Sequence, residues 1–375
     1  MAASARIHVL GLGSIGTFVA HSLTEIPARP PVTLLLHRTS RVKDYIRNGT
    51  SLSLQTPDGR SIAHTGYDFE ALHKSRWYPM DPYSHVAQSC MVSSQAPLDD
   101  IISNLVVCVK STQTVAALQP LRHRLSPTSH IVFLQNGAGM IEDANTHLWP
   151  LPRSRPNYMT GVISHGVTLN KPFHVSHTGP AATAVGSVPR EDSHVSQPPS
   201  PLLHMLPSAP RLNCRAHLWP TILQIQLEKL ACNALSNPLC ALADAVTAYL
   251  YSIPETCTAL MQEISSVILA LPELQGIEGV RHRFSAEALE NTVMAIIGKN
   301  KATTTSMVWD MRRGNETEIR YINGYWARRG REVGVSTPMN DELVERIEAM
   351  TAARMREIRL QHAENVTRCG SDMVS

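Results

Sequence analysis

The segment RIHVLGLGSIGTFVAHSLTEI, residues 6–26, places three glycines between a short β-rich run and an amphipathic pattern. Apolar residues after the glycines recur at helical spacing, which predicts a strand, a tight turn and a helix. Gly11, Gly13 and Gly16 form G-x-G-x-x-G, which permits the turn, lets the backbone approach a pyrophosphate and lets helix and strand pack closely. In this context the pattern predicts dinucleotide binding, with an ordinary glycine turn as the alternative. The expected cofactor contacts here are Gly11, Leu12, Gly13, Ser14, Ile15 and Gly16.

Strand and helix patterns alternate after this turn, as in a doubly wound α/β domain. Further buried strands are predicted within residues 32–38, 104–109 and 130–139, a hairpin within 51–65, and antiparallel strands that close the sheet within 165–186. After about residue 218 the strand signals vanish and helical patterns continue. The prediction is therefore a Rossmann-type domain over 1–215, an all-helical domain over 216–362 and a flexible tail over 363–375, with insertions near 75–99 and 187–201.

The residues that follow the second strand favour NADPH over NADH. An acidic residue usually reads the ribose 2′-hydroxyl at this point, whereas a 2′-phosphate calls for a cation. The sequence here is His37-Arg38-Thr39-Ser40-Arg41, without an acid. Arg38 can make a forked, charge-assisted contact to a phosphate, with Arg41 beside it. The alternative is a pair of solvated arginines on a loop.

Two polar residues follow the third and fourth predicted strands. Lys110 comes just after the third, and Asn136 follows the fourth. Ligands of such sheets bind at the carboxyl ends of the strands, so both side chains are candidates for the nicotinamide side of a cofactor site. Either could also be an ordinary loop residue.

A line of polar residues interrupts the otherwise small and apolar run EKLACNALSNPL, residues 228–239. Lys229, Asn233 and Asn237 are spaced four apart and so lie on one face of a helix. A buried lysine is costly without a partner, which favours the wall of a cleft over a polar seam between helices. Pro238 deprives the Ala234 carbonyl of its helical partner, and the helix should kink or stop there. In a cleft, a lysine with a pKa lowered toward neutrality can protonate the oxygen of a ketone.

A second cluster lies in TTSMVWDMRRGNETEIRYINGYWARRG, residues 304–330. Ser306 precedes an apolar pattern, Gly314-Asn315 breaks it, and a new helix follows. Glu318 comes three residues after Asn315, the spacing of an N-terminal capping box. A carboxylate in a first helical turn could also face a cleft, so both roles are open.

These motifs together resemble the ketopantoate reductases, the 2-dehydropantoate 2-reductases, over nearly the whole chain. The resemblance is carried by the glycine turn, the K-L-x-x-N-x-x-x-N-P run at 229–238, the Ser306-Met307 pair and T-E-I-x-Y-I-N-G at 317–324. The chain is longer than the compact bacterial enzymes and looks like a fungal member. The resemblance implies a Rossmann domain followed by a helical domain of the 6-phosphogluconate dehydrogenase type, and NADPH-dependent reduction of 2-dehydropantoate to D-pantoate in pantothenate synthesis.

The family's functional residues can be placed by position. The resemblance puts the general acid at Lys229 and the acid that contacts the substrate hydroxyl side at Glu318. It puts substrate contacts at Asn233, Asn237, Ser306 and Asn136, and cofactor contacts at the three glycines, Arg38, Lys110 and Asn136. Thr247 or a neighbour stands where bacterial members often carry a further asparagine, which affects the fit of the substrate's far hydroxyl.

Composition excludes several classes of function. The net charge of +3 is too small to argue for a nucleic-acid partner, and the seven cysteines form no C-x-x-C pair, so neither a zinc site nor a disulfide framework is expected. No apolar run is long enough for a membrane span. We expect a cytoplasmic enzyme without a metal, with mitochondrial residence as an alternative, and a possible homodimer. The rival functions are a reductase of another branched 2-keto acid and a non-catalytic NADPH-binding sensor.

Overall fold

The structure is a computed structural model that describes residues 6–81, 96–190 and 199–371, with side chains described to residue 361. The chain divides into two compact units. Unit 1 comprises residues 1–135 and 140–226, and unit 2 comprises 136–139 and 227–375. The short segment 136–139 is thus grouped with unit 2 although in sequence it lies between the two stretches of unit 1.

Unit 1 contains thirteen described strands in two sheets. In chain order they are β1 Ile7–Leu10, β2 Val32–Leu36, β3 Leu52–Gln55, β4 Ser61–His64, β5 Asp68–His73, β6 Arg76–Met80, β7 Asn104–Val107, β8 His130–Phe133, β9 Asn157–Ile163, β10 Gly166–Lys171, β11 His174–Gly179, β12 Thr183–Ser187 and β13 Cys214–Ala216. The larger sheet has the order β13-β12-β9-β8-β7-β1-β2-β5-β6. From β9 to β5 its neighbouring strands are parallel, as the buried apolar runs predict.

The smaller sheet has the order β10-β11-β3-β4. Strands β3 and β4 pair antiparallel, which confirms the hairpin predicted within 51–65. The strands of segment 165–186 are divided between the two sheets. Its last strand, β12, pairs antiparallel with β9 in the larger sheet as predicted, whereas β10 and β11 belong to the smaller sheet.

Within the described residues of unit 1, five α-helices accompany the sheets: α1 Ser14–Leu23, α2 Thr39–Arg47, α3 Thr114–Leu118, α4 Met140–His147 and α5 Leu202–Met205. Helix α1 buries its apolar face, including Phe18 and Leu23, in a core shared with β1, β2 and the smaller sheet. This burial fixes the start of α1 next to the end of β1, where the glycine turn lies.

The remaining helices are α6 Trp219–Ala243, α7 Pro254–Ala270, α8 Val280–Arg283, α9 Ala286–Gly298, α10 Ser306–Arg312, α11 Ile319–Val333 and α12 Pro338–Ser371. Helix α6 begins in unit 1 and continues in unit 2, and the others belong to unit 2. Over its described residues, unit 2 contains helices and no strand. The predicted fold class, an α/β Rossmann-type domain followed by a helical domain, is confirmed.

Parts of the predicted insertions and tail fall within regular elements. Residues 76–80 form the edge strand β6, and α12 includes residues 363–371 of the predicted tail. Residues 82–95, 191–198 and 372–375, which make up the rest of these segments in large part, lie outside the described residues. Among the helices described, none combines the length and the apolar character needed to cross a membrane.

Candidate active site

The glycine turn in unit 1 has the geometry that its sequence predicts. Gly11 has a φ of +97°, and a Cβ added there would lie 2.5 Å from the Val109 backbone nitrogen. A Cβ on Gly16 would overlap the Gly11 carbonyl, so the start of α1 can approach β1 only with glycine here. A Cβ on Gly13 would meet open space. Backbone at Gly13 is therefore accessible to a ligand, as a phosphate-binding turn requires.

The first turn of α1 presents backbone amides next to this accessible glycine. Gly13 is the N-cap and provides no side-chain cap, and the first turn carries no acidic residue. The first amides of a helix have no intrahelical partner and attract anions. Leu12 is buried, whereas Ser14 and Ile15 are half-buried at the start of the helix. The arrangement can hold a pyrophosphate.

The tip of β2 carries the two arginines that were predicted to read a 2′-phosphate. Arg38 is exposed and is the N-cap of α2. Arg41 is half-buried, with its guanidinium 5.9 Å from the centre of the Phe173 ring. Among the described residues, its Nη1 is buried without a hydrogen-bond partner. An unsatisfied buried guanidinium donor is costly and fits an anionic ligand.

Lys110, the remaining predicted cofactor residue of unit 1, follows β7. It is half-buried and precedes a 3₁₀ turn, Ser111–Gln113, whose last amide bonds back to the Lys110 carbonyl. The residue thus lies beyond the carboxyl end of a central parallel strand, where ligands of such sheets bind.

Within unit 2, Lys229 and Asn136 are in direct contact. Lys229 is on α6, and its Nζ donates a hydrogen bond to Oδ1 of Asn136 across 3.1 Å. The backbone that follows Asn136 is bound to α11, because the amide of Ala138 donates to the carbonyl of Tyr321 at 2.8 Å. A Cβ on Gly137 would lie 2.6 Å from that same carbonyl oxygen, so the close approach requires glycine.

Burial lowers the pKa of Lys229 to about 8, while the nearby Cys232 and Glu318 act in the opposite direction. Removing the ammonium group from water disfavours its charged form, and the Glu318 carboxylate partly restores it. An amine with a pKa near neutrality can both hold and release a proton under physiological conditions. The two predicted catalytic residues, Lys229 and Glu318, therefore interact electrostatically.

The predicted line of polar residues lies on a continuous helix. Lys229, Asn233 and Asn237 all belong to α6, with Lys229 and Asn233 half-buried and Asn237 buried. Of the two outcomes predicted for Pro238, a kink or an end of the helix, the end is wrong, because α6 continues through the proline to Ala243. Buried apolar residues on both sides of the proline stabilise the helix although the proline lacks a backbone N–H donor.

Ser306 and Glu318 each lie at the start of a helix. Ser306 is exposed as the first residue of α10. Glu318 is 7% exposed and is itself the N-cap of α11, without a side-chain capping bond. The capping-box alternative is therefore wrong. Asn315 does not cap this helix; its amide instead bonds to the Asp310 carbonyl at 2.8 Å and closes the preceding one.

Thr247 has a structural task that sequence patterns did not reveal. Its amide donates to the Thr303 carbonyl at 3.0 Å, and its hydroxyl donates to the Asn300 carbonyl at 3.1 Å. Both acceptors lie in the segment that leads to Ser306. Thr247 therefore fixes the approach to α10.

A buried amide that sequence analysis missed lies in unit 2. Asn323, on α11, donates through Nδ2 to the Ala234 carbonyl of α6 at 3.1 Å. Pro238, four residues after Ala234, indicates from the sequence that the Ala234 carbonyl lacks its helical donor. Only the fold shows that Asn323 provides a hydrogen bond to that carbonyl.

The sheet, its glycine turn and the helical second unit define a Rossmann-type oxidoreductase. Residues 7–190 match the family model described as "Ketopantoate reductase PanE/ApbA", and residues 221–351 match "Ketopantoate reductase PanE/ApbA C terminal". The chain belongs to the ketopantoate reductase family.

Individual relatives agree with this assignment. A "Probable 2-dehydropantoate 2-reductase" of Schizosaccharomyces pombe is 28% identical over 90% of this chain and 94% of its own length. A "2-dehydropantoate 2-reductase" of Vibrio cholerae is 31% identical over 66% of this chain and 77% of its own. Among solved structures, a D-mandelate dehydrogenase in ternary complex with NADH and anilino(oxo)acetate has a TM-score of 0.66 at 18% identity, covering 93% of this chain and 99% of that one. That last likeness concerns the fold.

Proposed function

We propose that the protein reduces 2-dehydropantoate to D-pantoate with NADPH. The observation that carries the proposal is the Lys229 amine of unit 2, hydrogen-bonded to Asn136 and with its pKa lowered to about 8. NADPH, when bound, would supply a hydride for the keto carbon, and Lys229 donates the proton that completes the alcohol. The hydride, the proton and the ketone together account for all the atoms of the product.

The other residues have supporting roles in this proposal. Glu318 keeps the lysine protonated and contacts the substrate on its hydroxyl side. Asn233, Asn237 and Asn136 orient substrate and amine through hydrogen bonds, and Ser306 receives the substrate carboxylate at the exposed start of α10. These roles follow the family pattern by position, and the burial and electrostatics of Lys229 support them.

NADPH is proposed as the cofactor because of the tip of β2. The glycine turn would hold the pyrophosphate, and Arg38 and Arg41 would hold the 2′-phosphate. The buried, unpartnered Nη1 of Arg41 supports an anionic ligand, and no acidic residue follows β2 within residues 37–41. Lys110 and Asn136 are proposed for the nicotinamide side.

A second candidate is a reductase for another 2-keto acid. The D-mandelate dehydrogenase of similar fold holds NADH and anilino(oxo)acetate. In this chain, the family resemblance puts Thr247 or a neighbour where bacterial members often have asparagine. Such a change would alter the fit of a substrate hydroxyl while leaving the chemistry of Lys229 intact. Cytoplasmic residence and a homodimer remain predictions.

The decisive experiment is cofactor oxidation by purified protein with 2-dehydropantoate and, in parallel, 2-ketoisovalerate, each with NADPH and NADH. We expect kcat/KM to be highest for 2-dehydropantoate with NADPH. Faster turnover of 2-ketoisovalerate would favour the second candidate. Binding of NADPH without turnover of any 2-keto acid in a panel would contradict a reductase function.

A further inference from the structure

Helix α6 carries the proposed general acid and also contains a proline. In a regular helix, the nitrogen of residue 238 would donate to the carbonyl of Ala234, but Pro238 has no N–H. The bare carbonyl lies five residues beyond Lys229 and three before Asn237, within the stretch that holds the proposed substrate contacts. Ala234 is buried, so bulk water does not replace the missing donor.

Asn323 of α11 supplies the donor. Its Nδ2 is 3.1 Å from the Ala234 oxygen and 3.0 Å from Oδ1 of Asn340 on α12. The Nδ2 of Asn340 donates to Glu263 of α7 at 2.7 Å, and Glu263 also accepts the Met339 and Asn340 amides at 3.0 Å each. The resulting chain of hydrogen bonds begins at a helical carbonyl and ends at a carboxylate. Both asparagines have exposed fractions of 0%.

Chemistry at the two ends of this chain dictates the orientation of both amides. A backbone carbonyl and an ionised carboxylate can only accept. Asn340 must therefore turn its NH₂ group toward Glu263, which leaves its oxygen to accept from Asn323. Asn323 in turn must place both of its N–H donors between Asn340 and Ala234. A flipped amide at either position would place oxygen against oxygen.

The cost of this arrangement indicates that the donor is needed. Among the described residues, Oδ1 of Asn323 is buried without a hydrogen-bond partner. An unpaired buried acceptor is unfavourable, and an apolar residue would avoid it. The two hydrogen bonds donated by Asn323 offset this cost, and one of them is accepted by the Ala234 carbonyl, which Pro238 leaves without its helical donor.

We propose that Asn323 is a positioning residue for the reduction. It provides the helical hydrogen bond that Pro238 cannot make, and so holds α6 in register between Lys229 and Asn237. This inference rests on the proposed function, because Lys229 is the group whose position matters. Asn323 touches neither the proton nor the keto carbon in this account. Its loss lets the α6 turn shift, and displacements of about 1 Å can cost on the order of 100-fold in rate.

The test is a double-mutant cycle with Asn323→Ala and Pro238→Ala. Asn323→Ala should lower kcat by about 10- to 100-fold with the KM for NADPH within about twofold of the wild type. It should also shift the alkaline limb of the pH–rate profile above pH 8, because a loosened helix hydrates Lys229 and raises its pKa. Pro238→Ala alone should change kcat by less than about threefold. In the double variant, the restored N–H of residue 238 should recover most of the lost kcat and return the limb toward pH 8.

Asn340→Ala is the matched control, since it removes a buried amide from the same network but leaves the Asn323 to Ala234 bond in place. Because that bond is kept, Pro238→Ala should not restore any kcat that Asn340→Ala loses. If Pro238→Ala recovers the midpoint of thermal unfolding of Asn323→Ala but not its kcat, Asn323 is a structural residue only and the proposal is overturned. An unchanged kcat in Asn323→Ala overturns it as well. Failure of the reductase function is recognised separately, because the wild-type protein would then turn over none of the 2-keto acids.

Discussion

The hydrogen bond from Nζ of Lys229 to Oδ1 of Asn136 joins residues that are 93 positions apart in sequence. It gives a largely desolvated amine one neutral partner and keeps the carboxylate of Glu318 as an electrostatic influence. The amide oxygen accepts a hydrogen bond from the ammonium group without adding a charge, so burial still dominates the pKa of the lysine. Several expectations about activity follow from this balance.

Replacement of Lys229 should separate activity from stability. Lys229→Met should lower kcat by roughly 10²- to 10⁴-fold, the contribution of a positioned general acid, and leave the Kd for NADPH within about twofold. The free energy of unfolding at pH 7 should stay within about 1–3 kcal/mol of the wild-type value, because relief from desolvating the ammonium group is offset by the loss of a positive charge near the buried Glu318 carboxylate. Steady-state kinetics, cofactor titration and urea unfolding measure the three quantities. Equal losses of turnover and NADPH binding would remove Lys229 from its catalytic role.

The pH dependence of turnover should follow the protonation of Lys229. The acid form is required, so kcat/KM should fall as pH rises through about 8. Glu318 raises the pKa of the lysine, and Glu318→Gln should therefore move this limb to lower pH. A pH–rate profile of both proteins decides the matter. A limb that stays in place, or moves upward, in Glu318→Gln would mean that the carboxylate does not act on the amine.

Cofactor preference should depend on the arginines that follow β2. Arg38→Ala should raise the KM for NADPH by about 10-fold or more, the size expected for a charge-assisted contact, while the KM for NADH stays within about twofold. Arg41→Ala should act in the same direction. Arg47, exposed in the last turn of α2, provides the control, and Arg47→Ala should leave both values unchanged. An unaltered NADPH to NADH ratio in Arg38→Ala would exclude Arg38 from the phosphate site.

The sheet of unit 1 contains a buried ion pair whose loss should destabilise the protein. Nη1 and Nη2 of Arg124 lie 2.7 and 3.3 Å from the Glu70 carboxylate oxygens, and the Arg124 side chain is fully buried. Glu70→Gln should lower the free energy of unfolding by up to about 3–5 kcal/mol, because the buried Arg124 then keeps the exposed Asp100 carboxylate, at 3.2 Å, as its described ionic partner. Arg60→Ala removes the exposed Arg60–Asp58 pair and should have a much smaller effect, because solvent screens both charges. Similar losses in the two variants, measured by denaturant unfolding, would contradict the desolvation argument.

Acid stability should depend on His21 of α1. Burial lowers its pKa from 6.5 to about 3, so the folded state excludes a proton that the unfolded chain binds. Above about pH 6.5 neither state binds this proton, and His21 does not lower the free energy of unfolding. As pH falls from 6.5 toward 3, the unfolded chain binds the proton and the free energy of unfolding falls by about 1.4 kcal/mol per pH unit. His21→Gln should reduce the slope of unfolding free energy against pH between about 6 and 4. Parallel slopes for the two proteins would show that His21 is not the titrating group.

The sequence by itself determined the elements and their class. The strand, glycine turn and helix at residues 6–26, the alternation that follows, the 51–65 hairpin and the helical run after residue 218 are all local patterns. Local patterns are reliable here because the period of apolar residues and the positive φ of Gly11 act on neighbouring residues of the chain. The position of Lys229, Asn233 and Asn237 on one helix follows for the same reason.

Only the tertiary structure decided which distant groups meet. It assigned β10 and β11 to a second sheet, brought Asn136 to Lys229, and made Glu318 the N-cap of α11 rather than the partner of Asn315 in a capping box. In the tertiary structure α6 also continues past Pro238, where the proline alone would allow the helix to end. These outcomes depend on packing and on hydrogen-bond donors from other helices. The free energies of such contacts exceed local conformational preferences, and contacts between distant residues produce no periodic pattern in the sequence.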